Sequence, residues 1–130
     1  MFKVFDLKTF VDERGQLTPI ELKDFIKFET KRIYTVHHNL MKRGGHAHLE
    51  EEEFFFMSSG SCDARLHDGK SEHIVKLHEN SNAFYVGTLV WHEFDNFSDN
   101  AVLVALSSTN YNPNRSGYIE DFNKFVEYVR

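Results

Sequence analysis

The sequence predicts an all-β fold, an antiparallel sandwich or barrel with one α-helix at its C-terminal end. Three observations carry that expectation. Short β-favouring runs recur along the whole chain, turn residues separate them, and the final stretch changes from period two to a helical period.

The β-favouring runs, in order, are FKVF, QLTPIEL, RIYTV, EFFFM, CDARLH, HIVKLH, NAFYVG, LVWHEF and AVLVAL. CDARLH shows the period most plainly, sending Cys62, Ala64 and Leu66 to one face and Asp63, Arg65 and His67 to the other. Asp68–Gly69 then reads as the turn of a hairpin into HIVKLH. Beyond AVLVAL, the residues Ile119, Phe122, Phe125, Val126 and Val129 recur at helical spacing with Glu120, Asp121, Lys124 and Glu127 between them. This predicts an amphipathic helix lying on the outside of the sheet.

Composition bounds the function. The 130 residues fit one compact domain spanning residues 1–130, and only two prolines and no Gly/Ser-rich linker interrupt them. With 41% hydrophobic residues, including 13 Phe, the chain has enough apolar surface for a real core. A formal charge of −5 gives no cationic field for nucleic acid or an anionic membrane, so an anionic ligand must be held by a few aimed cations. The single cysteine, Cys62, forms no intramolecular disulfide, and the N-terminal MFKVFDLKTF has no signal-peptide core; a cytoplasmic location is expected.

The chemistry concentrates in KRGGHAHLEEEEFFFMSSG, from Lys42 to Gly60. On a strand His46 and His48 share a face, about 6–7 Å apart at their backbones, and converge on one small target. Four residues separate His48 from Glu53, and six more precede Gly60. This spacing resembles the first cupin motif, and His92 with Asn96 in GTLVWHEFDN resembles the second, although the proline usual before the histidine is missing. The cupin resemblance implies a jelly-roll barrel that brings His46, His48, Glu53 and His92 together. Within the acidic run Glu50–Glu53, only Glu53 carries a specific expectation, and the rest reads as a solvated turn.

Two more fragments, VDERGQL and KRIYTV, together with RGGHAH and VGTLVWHEFDNFS, closely resemble the nucleotide-sugar 3,4-ketoisomerases, cupin enzymes acting on dTDP-4-keto-6-deoxy-D-glucose. The resemblance implies proton transfer through an enediol to a dTDP-3-keto-6-deoxyhexose of gluco or galacto configuration, feeding a 3-amino-3,6-dideoxy sugar of a surface polysaccharide. It also implies no metal, no cofactor and a homodimer. Imidazole suits the reaction, because an ordinary pKa of about 6.5 lets it take and return protons. His48 is expected to carry the carbon-bound proton, His46 to serve the oxygens, and Tyr34, which resembles the family's active-site tyrosine, to meet the developing enediolate.

For substrate binding, Arg43, Arg14 and Arg32 are the candidates for the diphosphate, and Trp91 is the candidate for packing against thymine or sugar. His92 and Glu53 complete the expected contacts. The family pattern has glutamine where this chain has Glu53, and a carboxylate is the better metal ligand. A metal-dependent cupin using His46, His48, Glu53 and His92 is therefore the alternative, beside a non-catalytic nucleotide-sugar-binding cupin.

Overall fold

The computed structural model describes residues 1–38 and 41–130. In chain order its elements are β1 (Phe2–Asp6), β2 (Phe10–Asp12), β3 (Gly15–Leu17), a 3-10 turn (Leu22–Asp24), β4 (Arg32–His37), β5 (Arg43–His48), β6 (Glu53–Ser59), β7 (Ser61–His67), β8 (Glu72–His78), β9 (Asn82–Val86), β10 (Trp91–Asp95), β11 (Val102–Ser107), β12 (Tyr118–Ile119) and α1 (Phe122–Val129). Two five-stranded sheets, ordered β1-β9-β6-β11-β4 and β12-β5-β10-β7-β8, form a jelly-roll sandwich. Among the described residues, strands β2 and β3 pair only with each other. Every pairing is antiparallel.

The predicted strands reappear with three differences. Pro19 lies in the predicted strand QLTPIEL; only Gln16 and Leu17 join β3, and Leu22 opens the 3-10 turn. Leu89 takes a left-handed φ of 58°, which delays β10 to Trp91. Ile119 pairs with Ala47 in β12 instead of beginning the helix, which starts after Asp121, whose carboxylate accepts the Lys124 N–H at 2.9 Å. No helix among the described residues is long and apolar enough to cross a membrane.

Three apolar clusters hold the sheets. Between them, Phe55, Met57, Cys62, Ala64, Leu66, Leu77, Phe84, Val86, Phe94 and Leu103 form the main core. Strand β6 is covered on its other face too: Phe54 packs with Ile26, Ala83 and Leu106 under Phe5 and Phe25. This double burial explains why EFFFM is a continuous apolar run and not an alternating one. Outside the second sheet, Phe125 of α1 packs on Trp91 and Ala47. Gly60 joins β6 to β7 at φ +71°, and a Cβ there would meet Ser98 Oγ at 2.3 Å and Ala101 Cα at 2.9 Å, so the position admits only glycine without movement.

Phe84 is fully buried and lies between Phe55 and Phe94, with ring centroids 5.1 and 6.0 Å away. Phe84→Ala is expected to lower stability by about 3–5 kcal/mol in urea unfolding monitored by circular dichroism, with an unchanged denaturant slope.

Candidate active site

The site occupies one end of the sandwich, where polar side chains replace the apolar core. Strand pleat decides which residues arrive. On β5, His46 and His48 point inward; on β10, His92 points inward opposite His46; on β4, Arg32, Tyr34 and Val36 point inward; on β6, Glu53 does. These strands come from both sheets, so the site straddles the interior.

The three imidazoles cluster tightly. Ring centroids of His46 and His48 are 4.7 Å apart, and those of His92 lie 4.9 and 5.2 Å from them. Tyr118 of β12 stands across His48 in the ladder, its ring 4.5 Å from that of His48 and 4.9 Å from that of His46. A cavity of about 360 Å³ opens in front of them, with Arg32, Tyr34, Arg43, Arg115 and Tyr111 on its walls. Its size suits a sugar-sized ligand with room for a chain of phosphates.

Beneath the histidines lies Glu53, with no solvent exposure. Tyr34 donates its hydroxyl to Glu53 Oε2 at 2.5 Å. The other oxygen, Oε1, is 3.4 Å from His48 Nδ1 and 3.3 Å from His92 Nε2 and forms no hydrogen bond among the described residues. His92 Nδ1 donates to the carbonyl of Val90 at 3.0 Å, which fixes that ring's orientation. His46, His48, Glu53 and His92 thus each present one ligand atom, all within 4.8 Å of one another. With its orphaned buried acceptors, this set fits a divalent transition ion.

Burial lowers the pKa of His46 to about 3, reinforced by His92 and Arg115, and that of His48 to about 2, reinforced by His92, His46, Arg32 and Arg115. Both imidazoles are therefore neutral at physiological pH, the state a base needs. Burial, then the neighbouring Glu53, pushes the Tyr34 phenol well above its usual range, keeping it protonated.

Several expected contacts are displaced. Arg14 does not reach the cavity: its side chain is 85% exposed on the β2–β3 hairpin and pairs with Asp12 at 2.6 Å. Trp91 follows the pleat outward, because its neighbour His92 points inward, and it packs against Phe122 and Phe125 of α1 instead of a ligand. Glu53 does not line the cavity and acts only through the side chains above it. Tyr34 lines the cavity, but its hydroxyl hydrogen is committed to Glu53 and not free for a substrate oxygen. Arg32 reaches the cavity wall with one amino group already on Glu51, at 2.7 Å. Arg43 stands at the mouth, exposed and without an ion pair among the described residues.

The acidic run is not a solvated turn throughout. Glu50 is exposed, but Glu51 is buried, and Glu52 accepts a hydrogen bond from Tyr85. Also unforeseen are Arg115 and Tyr118, the guanidinium standing 4.0 Å over the phenol ring. Both come from NPNRSGY, whose polar, turn-rich composition reads as surface loop; no periodic signal marks them.

The family model described as FdtA, WxcM-like, C-terminal, matches residues 1–130. The TDP-4-oxo-6-deoxy-alpha-D-glucose-3,4-oxoisomerase of Aneurinibacillus thermoaerophilus is 34% identical over 129 residues, 98% of this chain and 91% of that protein. A 3,4-ketoisomerase from Helicobacter canadensis superposes with a TM-score of 0.87 at 37% identity, over 98% of this chain and 96% of the other. A histidine-to-asparagine variant of the 3,4-ketoisomerase QdtA from Thermoanaerobacterium thermosaccharolyticum, in complex with TDP-4-keto-6-deoxyglucose, has the same TM-score at 30% identity, with coverage of 98% and 93%.

The neutral buried histidines set an acid limit on stability. On unfolding, His46 and His48 regain an ordinary pKa of about 6.5, so below that pH the unfolded chain binds more protons and stability falls as pH falls. Each imidazole contributes up to about 1.4 kcal/mol per pH unit between about 6.5 and its folded value. Urea melts at pH 7.5 and 5.5 are expected to show this loss, and His46→Asn is expected to reduce the slope between the two conditions.

Proposed function

We infer the reaction from this kinship: the chain belongs to the FdtA family (WxcM-like, C-terminal), and it is a nucleotide-sugar 3,4-ketoisomerase acting on TDP-4-keto-6-deoxyglucose. The observation that carries the reading at the level of the site is the cluster of neutral, buried imidazoles facing a cavity walled by arginines and tyrosines.

The ketone at carbon 4 acidifies the hydrogen on carbon 3. In the proposed sequence His48 removes that proton, the carbon–hydrogen electron pair forms the double bond between carbons 3 and 4, and the carbonyl π pair moves onto the oxygen of carbon 4. His46 gives a proton to that oxygen and accepts one from the hydroxyl on carbon 3, ending neutral. His48 then returns its proton to carbon 4, and the ketone stands at carbon 3. No electron leaves the substrate. Arg43 and Arg115 hold the diphosphate at the cavity mouth, while Tyr34 holds Glu53 in place under the histidines. The product feeds formation of a 3-amino-3,6-dideoxy sugar for a surface polysaccharide.

A second reading has one observation in its favour, the fit of His46, His48, Glu53 and His92 to a divalent ion. An ion held there would act as a Lewis acid toward the substrate's oxygens. The proton-transfer reading needs only this chain's own groups and is the one preferred.

A homodimer is proposed as the working form. The β2–β3 hairpin leaves Phe10, Val11 and Leu17 exposed, apolar material suited to an isologous contact. Sedimentation at micromolar concentration is expected to give twice the chain mass; a monomer would refute it.

The reaction is tested by incubation with TDP-4-keto-6-deoxyglucose in deuterium oxide, followed by capture of the product with a 3-aminotransferase. A 3-amino sugar is expected, and the share of deuterium at carbon 4 reads how far the proton on His48 exchanges with solvent before its return; no 3-amino sugar would overturn the assignment. In the same assay His48→Asn is expected to lose nearly all turnover while keeping TDP affinity, and Arg43→Ala to weaken TDP binding about 10- to 100-fold. Chelator-treated enzyme is expected to keep full activity, and Glu53→Gln to fold with at most a moderate loss of rate. Loss on chelation, restored by one divalent ion, would install the metal reading instead.

A further inference from the structure

Arg43 and His46 stand three places apart on β5, an odd spacing that a regular strand divides between its two faces. Both nevertheless line the cavity. The ladder with β10 shows how this comes about. His46 pairs with His92, but Gly44 pairs with Glu93 and Arg43 with Phe94, so Gly45 is an extra residue on β5 without a counterpart on β10. This is a β-bulge, and it resets the alternation by one place. Phe94 belongs to the core between the sheets, so Arg43, opposite it, takes the inner face.

Lys42 gives an independent sign of the same reset. Its ammonium lies 3.6 Å from Glu93 Oε1, and Glu93 shares the outer face with Trp91, whose indole N–H it meets at 3.4 Å. Without the extra residue the two cations would exchange faces.

We propose that Gly45 is a positioning residue for nucleotide binding: the bulge it forms turns Arg43, and not Lys42, onto the face of His46, so that a guanidinium meets the diphosphate. The proposal rests on the reading of Arg43 as a diphosphate ligand. The choice of cation matters because a guanidinium offers phosphate oxygens two N–H groups in a fixed fork, whereas an ammonium is a point charge.

The two neighbouring glycines have different reasons to be glycine. Both take a positive φ, +87° at Gly44 and +88° at Gly45, which residues with a Cβ rarely adopt. A Cβ on Gly44 would also meet the carbonyl oxygen of His92 at 3.0 Å and Glu93 Cα at 3.1 Å, so that position needs glycine for the close approach to β10. A Cβ on Gly45 would meet Glu93 Oε2 at 3.8 Å and Trp91 Cζ2 at 3.9 Å, ordinary contacts on the outer face. Conformation, and not space, is what Gly45 supplies.

The test sets substitution against deletion at this one position, with calorimetric titration of TDP. Gly45→Val favours an extended strand, restores the regular pleat and sends Arg43 outward. TDP affinity is expected to fall about 10- to 100-fold, and adding Arg43→Ala to that variant is expected to change it by less than about twofold. Deleting Gly45 removes the extra residue together with the bulge and leaves Arg43 two places from His46, on the same face. The deletion, like Lys42→Ala, is expected to keep TDP affinity within about threefold of the wild type. In parallel, a nuclear Overhauser contact between the Arg43 side chain and the Phe94 ring is expected in the wild type and in the deletion, and is expected to be absent from Gly45→Val. Undiminished affinity in Gly45→Val, a further loss on adding Arg43→Ala to it, or a loss in the deletion or in Lys42→Ala equal to that of Arg43→Ala would each overturn the proposal. Where one of the two Gly45 variants does not fold, the other decides by both readouts. Unaltered TDP affinity in Arg43→Ala alone would sink the diphosphate role of Arg43, while the Overhauser contact still decides which face the bulge gives it.

Discussion

The carboxylate of Glu53, without any exposure, is the constraint around which this end of the fold is organised. A carboxylate buried between two β-sheets needs polar neighbours, and the strands that bring them are fixed by it. Tyr34 of β4 donates to one oxygen, and imidazoles from β5 and β10 flank the other. Removing the carboxylate from water thus links both sheets by polar contacts where the apolar core stops. The same contacts hold the histidines upright toward the cavity, so what stabilises the seam also presents the reacting groups.

Alternation along the strands carried most of the fold into the sequence. The inward positions of β7, Cys62, Ala64 and Leu66, follow period two directly, and so does the shared face of His46 and His48. That rule also excludes a pair of expectations from being true together. Trp91 and His92 are neighbours on one strand, so only one of them faces the interior, and the histidine does. Reading Trp91 as a ligand contact set local motif resemblance above the pleat, and the pleat prevailed.

What the sequence concealed are residues outside regular periods. Glu51 lies between β5 and β6, where no repeat assigns a face, and in a run of four glutamates it reads, unlike Glu53, as solvent-facing by composition. Its burial depends on Arg32 and Ser107, which are 19 and 56 residues away in the chain. Arg115 and Tyr118 are similar: their loop reaches the cavity only because a two-residue strand, β12, pairs with the end of β5. Arg14 shows the opposite case, since a charged residue in a recognisable motif sits on a hairpin exposed in the single chain and pairs with Asp12.

The order of strands bears on how the molecule is made as well as how it acts. Phe2 pairs with Val86, and β6 sits between β9 and β11, so the main sheet is assembled from segments distant along the chain, while β7 and β8 form an adjacent hairpin. Folds dominated by such pairings close their loops slowly, on the order of milliseconds to seconds. Because the site draws on β4, β5, β6, β10 and β12, it exists only after both sheets have closed. During synthesis the Phe-rich strand β6 emerges well before β9 and β11, its partners on either side. The nascent chain therefore carries an unpaired apolar strand for that interval, the stage at which aggregation or chaperone capture competes with folding.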